Sequence, residues 1–134
     1  MSRRAVLALD QGTTGSAALV VDSSGAVIAQ ADREIAQRYP APGWVEHDPA
    51  EIWRTTVEVA RQAMAAAGVR PHELAAVGIA NQRETTVVWE RASGRPIHDA
   101  VVWQSRASAG ICERLRADGL EPLVRERTGL VIDA

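Results

Sequence analysis

The chain has 134 residues, of which 46% are hydrophobic and 24% charged, enough apolar material for the core of one ordinary globular domain. All 15 basic residues are arginine, which excludes a P-loop lysine, a pyridoxal Schiff base and the strand lysine of a protein kinase. With a net charge of −2 and arginines scattered from Arg3 to Arg127, neither a nucleic-acid groove nor a polybasic membrane patch is expected.

In chain order, Ser2-Arg3-Arg4 and the apolar residues after it are shaped faintly like a twin-arginine export signal. The apolar run ends at Asp10, too short for a signal core or a membrane span, so no export is expected. The turn-rich Gln11-Gly12-Thr13-Thr14-Gly15-Ser16 follows, then a second apolar run over 17–21. This reads as strand, loop, strand. Asp22-Ser23-Ser24-Gly25 has turn chemistry, and a third strand over 26–31 would complete an antiparallel meander. Pro40, Pro42 and Gly43 mark a loop.

Asp48 as N-cap, Pro49 at the first helical position and Glu51 three residues after the cap predict a helix start. Trp53, Val57, Ala60, Met64 and Ala67 then recur at helical spacing, so this face, Trp53 included, should lie on the sheet, and Gly68 ends the helix. Further strands are predicted over 75–80 and 85–89, with an extended segment over 97–103. Two helices follow, over 106–117 stopped by Gly119 and over 120–127 stopped by Gly129.

This order predicts an α/β domain with a mixed sheet, an antiparallel three-strand meander followed by parallel strands, and flanking helices. There are no repeats and no linker, so one structural unit is expected. The final run over 130–134 is apolar without a partner in sequence, which reads as a truncated domain. The single cysteine, Cys112, permits no internal disulfide and no thiolate cluster, consistent with a cytoplasmic chain, and reads as a small buried residue on a helix.

The loop from Asp10 to Ser16 joins two strands, so the geometry of the Walker and dinucleotide glycine motifs does not apply. Its glycines, hydroxyls and backbone N–H groups can still cradle phosphate oxygens without a lysine. Asp10, at the strand end, could hold magnesium directly or through water. A hairpin whose Asp and Thr side chains merely cap backbone amides is the plainer reading of the same residues.

Four blocks, Ala8-Leu9-Asp10-Gln11-Gly12-Thr13-Thr14, Pro42-Gly43-Trp44-Val45-Glu46-His47-Asp48-Pro49, Gly78-Ile79-Ala80-Asn81-Gln82-Arg83-Glu84-Thr85-Thr86 and Thr128-Gly129-Leu130-Val131-Ile132-Asp133, resemble the glycerol kinases among the carbohydrate kinases. They occur in that family's order and at its spacing, and they match only its amino-terminal part. The resemblance implies a ribonuclease-H-like, actin-like ATPase fold with ATP in a cleft between two domains. It also implies that residues 1–134 form an incomplete first domain, and that the second domain lies outside this chain.

Carried over by position, the resemblance implies that Thr13, Thr14 and Gly15 bind the nucleotide, that Asp10 lies near Mg2+, and that Arg83, Glu84 and Trp103 bind glycerol. Many relatives carry an arginine where this chain has Ala17, which implies a weaker grip on nucleotide phosphate. An arginine and a glutamate side by side suit a polyol, because each hydroxyl both donates and accepts. The implied reaction passes the terminal phosphoryl group of ATP to glycerol, giving sn-glycerol 3-phosphate and ADP. By the same resemblance the catalytic aspartate lies beyond Ala134, so no catalytic residue is expected in this chain and the 134 residues alone are expected to be inactive. The longer enzyme is expected to be a homo-oligomer. A related polyol or sugar kinase, and a non-catalytic nucleotide-binding module, are the alternative readings.

Trp103 is read either as core or as packing against the carbon backbone of glycerol, whereas Trp44, Trp53 and Trp89 are expected to be structural. His47, His72 and His98 have no metal spacing and no paired nucleophile, so solvated or capping roles are expected for all of them. Ser105 and Ser108 read as helix-start residues.

Overall fold

The computed structural model describes residues 5–134; the Ser2-Arg3-Arg4 motif lies outside them. Strands β1 (Ala5–Gln11), β2 (Gly15–Val21) and β3 (Val27–Glu34) form the expected antiparallel meander. Strand β5 (Leu74–Asn81) joins the other side of β1 in parallel, giving the order β3-β2-β1-β5. A second, two-stranded sheet pairs β4 (Glu46–His47) with β6 (Ala100–Val101).

Helix α1 (Pro49–Ala67) begins as predicted. Asp48 Oδ1 accepts from the backbone N–H groups of Ala50 at 2.8 Å and Glu51 at 3.4 Å, satisfying donors that the first turn leaves without an intrahelical partner. Gly68 closes the helix in the left-handed region, with φ 64°. The 3-10 turn Pro71–Glu73 leads into β5, and helices α2 (Ala109–Ala117) and α3 (Glu121–Thr128) follow the second sheet. Helix α2 starts three residues later than the sequence predicted, after a turn that includes Ser108.

The core lies between α1 and the meander. Strand β2 alternates, turning Ser16, Ala18 and Val20 inward, and Ala18 and Val20 pack with Leu7 of β1 and with Val59 and Ala63 of α1. The fully buried stripe of α1 is Thr55, Val59 and Ala63; Ala60, Met64 and Ala67 of the expected face pack partly buried beside it, whereas Trp53 is 72% exposed. At about 100° per residue, the true stripe is rotated by about a third of a turn from the expected one. Threonine makes the difference. Thr55 Oγ1 donates to the Glu51 carbonyl at 2.9 Å and Thr56 Oγ1 to the Ile52 carbonyl at 2.8 Å, and both hydroxyls lie 3.2 Å from Ser16 Oγ. Small, internally satisfied side chains can approach the sheet closely where an indole cannot.

Two other expectations change. The strand predicted over 85–89 and the extended segment over 97–103 fold back on each other as an irregular hairpin, with isolated bridges Thr86↔Val101 and Trp89↔Pro96. Two backbone bonds, from the Glu90 N–H to Arg95 O at 2.9 Å and from the Ile97 N–H to Val88 O at 3.0 Å, flank the Trp89–Pro96 bridge, Gly94 turns the chain at φ 71°, and Ala100–Val101 forms its ladder with β4. Trp44 and Trp89 are exposed on the surface rather than buried. Cys112 is buried on α2, as expected.

Candidate active site

The β1–β2 connection is a tight hairpin in which the Gly12 N–H donates to the Gly15 carbonyl at 2.8 Å. Its outer carbonyls are held by the segment after β3: the Ile35 N–H donates to Thr14 O at 3.1 Å, and Gln37 Nε2 to Thr13 O at 2.8 Å. Gly15 is required by packing alone, since a Cβ there would lie 2.6 Å from the Arg33 carbonyl oxygen. Asp10 is exposed near the end of β1, paired with Ala17 of β2 and Ala80 of β5. Ala17 is thus the neighbour of Asp10 across the hairpin.

Arg83 and Glu84 occupy the turn that follows β5. Glu84 has φ 67°, the only non-glycine residue in the left-handed region among the described residues. Such a backbone costs on the order of 1–3 kcal/mol and persists where its surroundings enforce it. Here the brace is internal to the turn: Thr85 Oγ1 donates to Gln82 Oε1 at 3.0 Å. The Gln82 N–H donates to the Gln11 carbonyl at 2.7 Å, so the turn starts level with the base of the hairpin.

Trp103 joins the two. It is half-exposed, not core, and its indole Nε1–H donates to Thr13 Oγ1 at 2.8 Å, while its backbone N–H reaches Thr85 Oγ1 at 3.3 Å. Trp103 and Glu84 also line one open cleft of about 810 Å³ that extends to Leu130 and Asp133. Thr13 and Arg83 are not among its lining residues; Thr13 meets the cleft through the indole. At the far side, the Asp133 carboxylate is held below its ordinary range, first by the Ala134 N–H and then by Arg106, which keeps negative charge at that rim.

The residues that sequence reasoning missed lie beneath this surface. His47, expected to be solvated or capping, is 1% exposed. Its Nε2 lies 2.8 Å from Gln37 Oε1 and its Nδ1 lies 3.3 Å from Gln82 Nε2. Burial pushes the imidazole below its ordinary range, opposed by the nearby Glu51 carboxylate. A two-residue strand carries His47, too short for any periodic signal, and nothing in the sequence around Gln37 marks it. Ser105, also buried, accepts from the Val45 N–H at 3.1 Å and so ties the approach to β4 to the segment after Trp103.

No group of three or more His, Cys, Asp and Glu suited to a metal ion occurs among the described residues. The exposed Asp10 carboxylate near the end of β1 nevertheless fits magnesium, which takes few protein ligands and keeps its waters. No helix among the described residues is long and apolar enough to cross a membrane.

Comparison with known proteins agrees with this architecture. Residues 5–134 match the N-terminal domain of the FGGY family of carbohydrate kinases. The chain is 54% identical over 129 residues to glycerol kinase 2 of Thermotoga maritima, covering 96% of this chain and 26% of that protein. It is 55% identical over 134 residues to the glycerol kinase of Carboxydothermus hydrogenoformans, covering 100% of this chain and 27% of that protein. The chain therefore spans about a quarter of the length of the curated relatives it matches. The crystal structure of Plasmodium falciparum glycerol kinase with ADP superposes with a TM-score of 0.86 at 24% identity over 98% of this chain and 26% of that one, a likeness of fold. The meander, the crossover to a parallel strand and the matched length together make the chain a member of the FGGY carbohydrate kinases, with the mixed-sheet architecture of the actin-like ATPases.

Proposed function

We propose that this protein is an ATP-dependent glycerol kinase and that the chain supplies its phosphate hairpin and part of its glycerol pocket. The carrying observation is the bond from the Trp103 indole to Thr13 Oγ1, which joins the hairpin to the cleft that Glu84 and Trp103 line. The identity with relatives named as glycerol kinases supports glycerol over other polyols.

In this reading the hydroxyls of Thr13 and Thr14 and the hairpin amides up to Gly15 receive the phosphate oxygens of ATP. Asp10 is the residue that would hold Mg2+, which when bound offsets the negative charge on those oxygens. Arg83 donates to one glycerol hydroxyl and Glu84 accepts from its neighbour, while the Trp103 ring lies against the carbon chain. Leaving either charged partner unmatched in a desolvated pocket costs about 1–3 kcal/mol, which disfavours acceptors lacking vicinal hydroxyls. In the reaction the attacking hydroxyl forms a bond to the terminal phosphorus, the bond from that phosphorus to the bridging oxygen breaks, and ADP leaves. The hydroxyl proton needs an acceptor, a role given to no residue of this chain.

Calorimetric titration of Mg–ATP, glycerol and xylulose into the full-length enzyme that carries this chain tests the reading. Saturable binding of Mg–ATP and glycerol is expected, lost for glycerol in Glu84→Gln and weakened for Mg–ATP in Thr13→Val. Binding of xylulose in preference to glycerol, or glycerol binding indifferent to Glu84, would overturn it.

A further inference from the structure

Polar bonds running from the exposed Trp103 to the buried His47 close into a ring. Trp103 Nε1 donates to Thr13 Oγ1, and Gln37 Nε2 donates to the Thr13 carbonyl. Gln37 Oε1 meets His47 Nε2, and His47 Nδ1 meets Gln82 Nε2. Gln82 Oε1 accepts from Thr85 Oγ1, which in turn accepts from the Trp103 backbone N–H.

The direction of this ring is determined by carbonyl groups that can only accept. The Thr13 carbonyl takes the Gln37 nitrogen, so Gln37 presents its oxygen to His47, and His47 Nε2 must carry a proton. At the other end, Gln11 Nε2 donates to the Gly12 carbonyl at 2.8 Å, so Gln11 presents its oxygen to Gln82 at 3.3 Å. Gln82 must therefore turn its nitrogen to Gln11 and to His47, and His47 Nδ1 must accept. The only imidazole compatible with both glutamines is neutral, with its proton on Nε2. A second proton, on Nδ1, would face the Gln82 amide nitrogen, donor against donor.

We propose that His47 is a positioning residue: as the neutral bridge between Gln37 and Gln82, it sets the spacing between Thr13 of the phosphate hairpin and the Gln82–Thr85 turn that carries Arg83 and Glu84. This rests on the functional reading above, because it is the register of phosphate against polyol that the bridge controls. His47 touches neither ligand. It acts through glutamines, whose long side chains lose their preferred rotamers when the imidazole between them is removed. At 1% exposure the imidazole itself is screened from solvent, which makes an unmade bond there costly.

The test combines a measurement on the unsubstituted chain with a pair of variants. Nitrogen-15 NMR of labelled histidine at neutral pH should find His47 neutral with its proton on Nε2; a charged ring or a proton on Nδ1 would overturn the proposal. His47→Phe preserves the ring shape without the bonds, and His47→Gln returns a donor toward Gln37. In folded His47→Phe, the Trp103 indole N–H, assigned with Trp103→Phe, should exchange with solvent faster, and the Kd values for Mg–ATP and for glycerol should each rise about tenfold or more, the effect of one buried bond broken. His47→Gln should recover part of both. An unchanged indole signal and unchanged affinities in folded His47→Phe would refute the positioning role. If the full-length parent binds neither ligand, the functional reading fails, and the indole and imidazole measurements still decide whether His47 sets the spacing.

Discussion

Strands β2 and β5 both border β1, yet β2 buries Ser16, Ala18 and Val20 against α1, whereas β5 leaves Val77 53% and Ile79 72% exposed. Val77 pairs with Leu7 and Ile79 with Leu9, so they share the face on which α1 lies, but α1 covers the meander and stops short of β5. The difference separates two ways of holding a protein together. The meander is held by apolar burial, which is insensitive to direction. The β5 side, with the Arg83–Glu84 turn and Trp103, is held by the ladder to β1 and by directional polar bonds that lose their worth once a partner shifts.

The largest expected effect sharpens this contrast. Val20→Ala should cost about 2–3 kcal/mol, a transfer loss plus the cavity left behind, whereas Ile79→Ala should stay within about 0.5 kcal/mol. Chemical denaturation of both variants measures it; equal losses would mean that β5 is covered after all. Next comes Gly15→Ala. The added methyl meets the Arg33 carbonyl at 2.6 Å, backbone that cannot yield like a flexible side chain, so a loss of about 1–3 kcal/mol is expected. Mg–ATP binding should weaken in parallel, because the hairpin must open away from β3.

The third prediction uses pH to break the polar side while sparing the apolar one. His47 in the folded chain has its pKa below the ordinary value of 6.5, so the unfolded chain takes up a proton first as pH falls. Stability is then complete above about pH 7 and declines as pH drops below about 6.5, with His47→Gln flattening that slope. Glu73, held down to about 2 by the hydrogen bonds and charge of Arg70, behaves in the same sense but in a lower pH window. Its contribution is present above its ordinary value of 4.5 and is lost only as pH falls toward 2. Thermal melts between pH 7.5 and 5, followed by the Trp103 indole resonance and by far-ultraviolet circular dichroism, should show the indole environment failing before the helix signal. The smallest expected effect is Glu84→Gly. Relief of the left-handed backbone offsets the added chain entropy, so stability should stay within about 1 kcal/mol while glycerol binding is lost. A melting temperature that drops by many degrees would show that Glu84 is structural.

Much of the framework was legible from residues that act on their near neighbours. Asp48 and Pro49 marked the start of α1 and Gly68 its end, and the alternating runs around the Gly12–Gly15 turn marked the meander. The irregular hairpin over 86–101 was not legible, because Val87, Val88 and Trp89 have the composition of a strand, and whether such a segment pairs regularly is decided by the distant segment that meets it. The stripe of α1 was legible at Ala60, Met64 and Ala67 but not at its centre, because Thr55 counts as polar until its hydroxyl is seen to bond within the helix.

The sequence by itself determined the class of fold, the caps and turns, and the composition of the hairpin and of the Arg83–Glu84 turn, since these follow from backbone preferences and periodicities that span only a few residues. Tertiary structure alone decided that Trp103 meets Thr13, that His47 is buried between Gln37 and Gln82, and which face of α1 meets the sheet. Those outcomes depend on partners far apart along the chain. Whether a polar side chain is buried is settled by the donor or acceptor that waits for it there, and no local pattern encodes that.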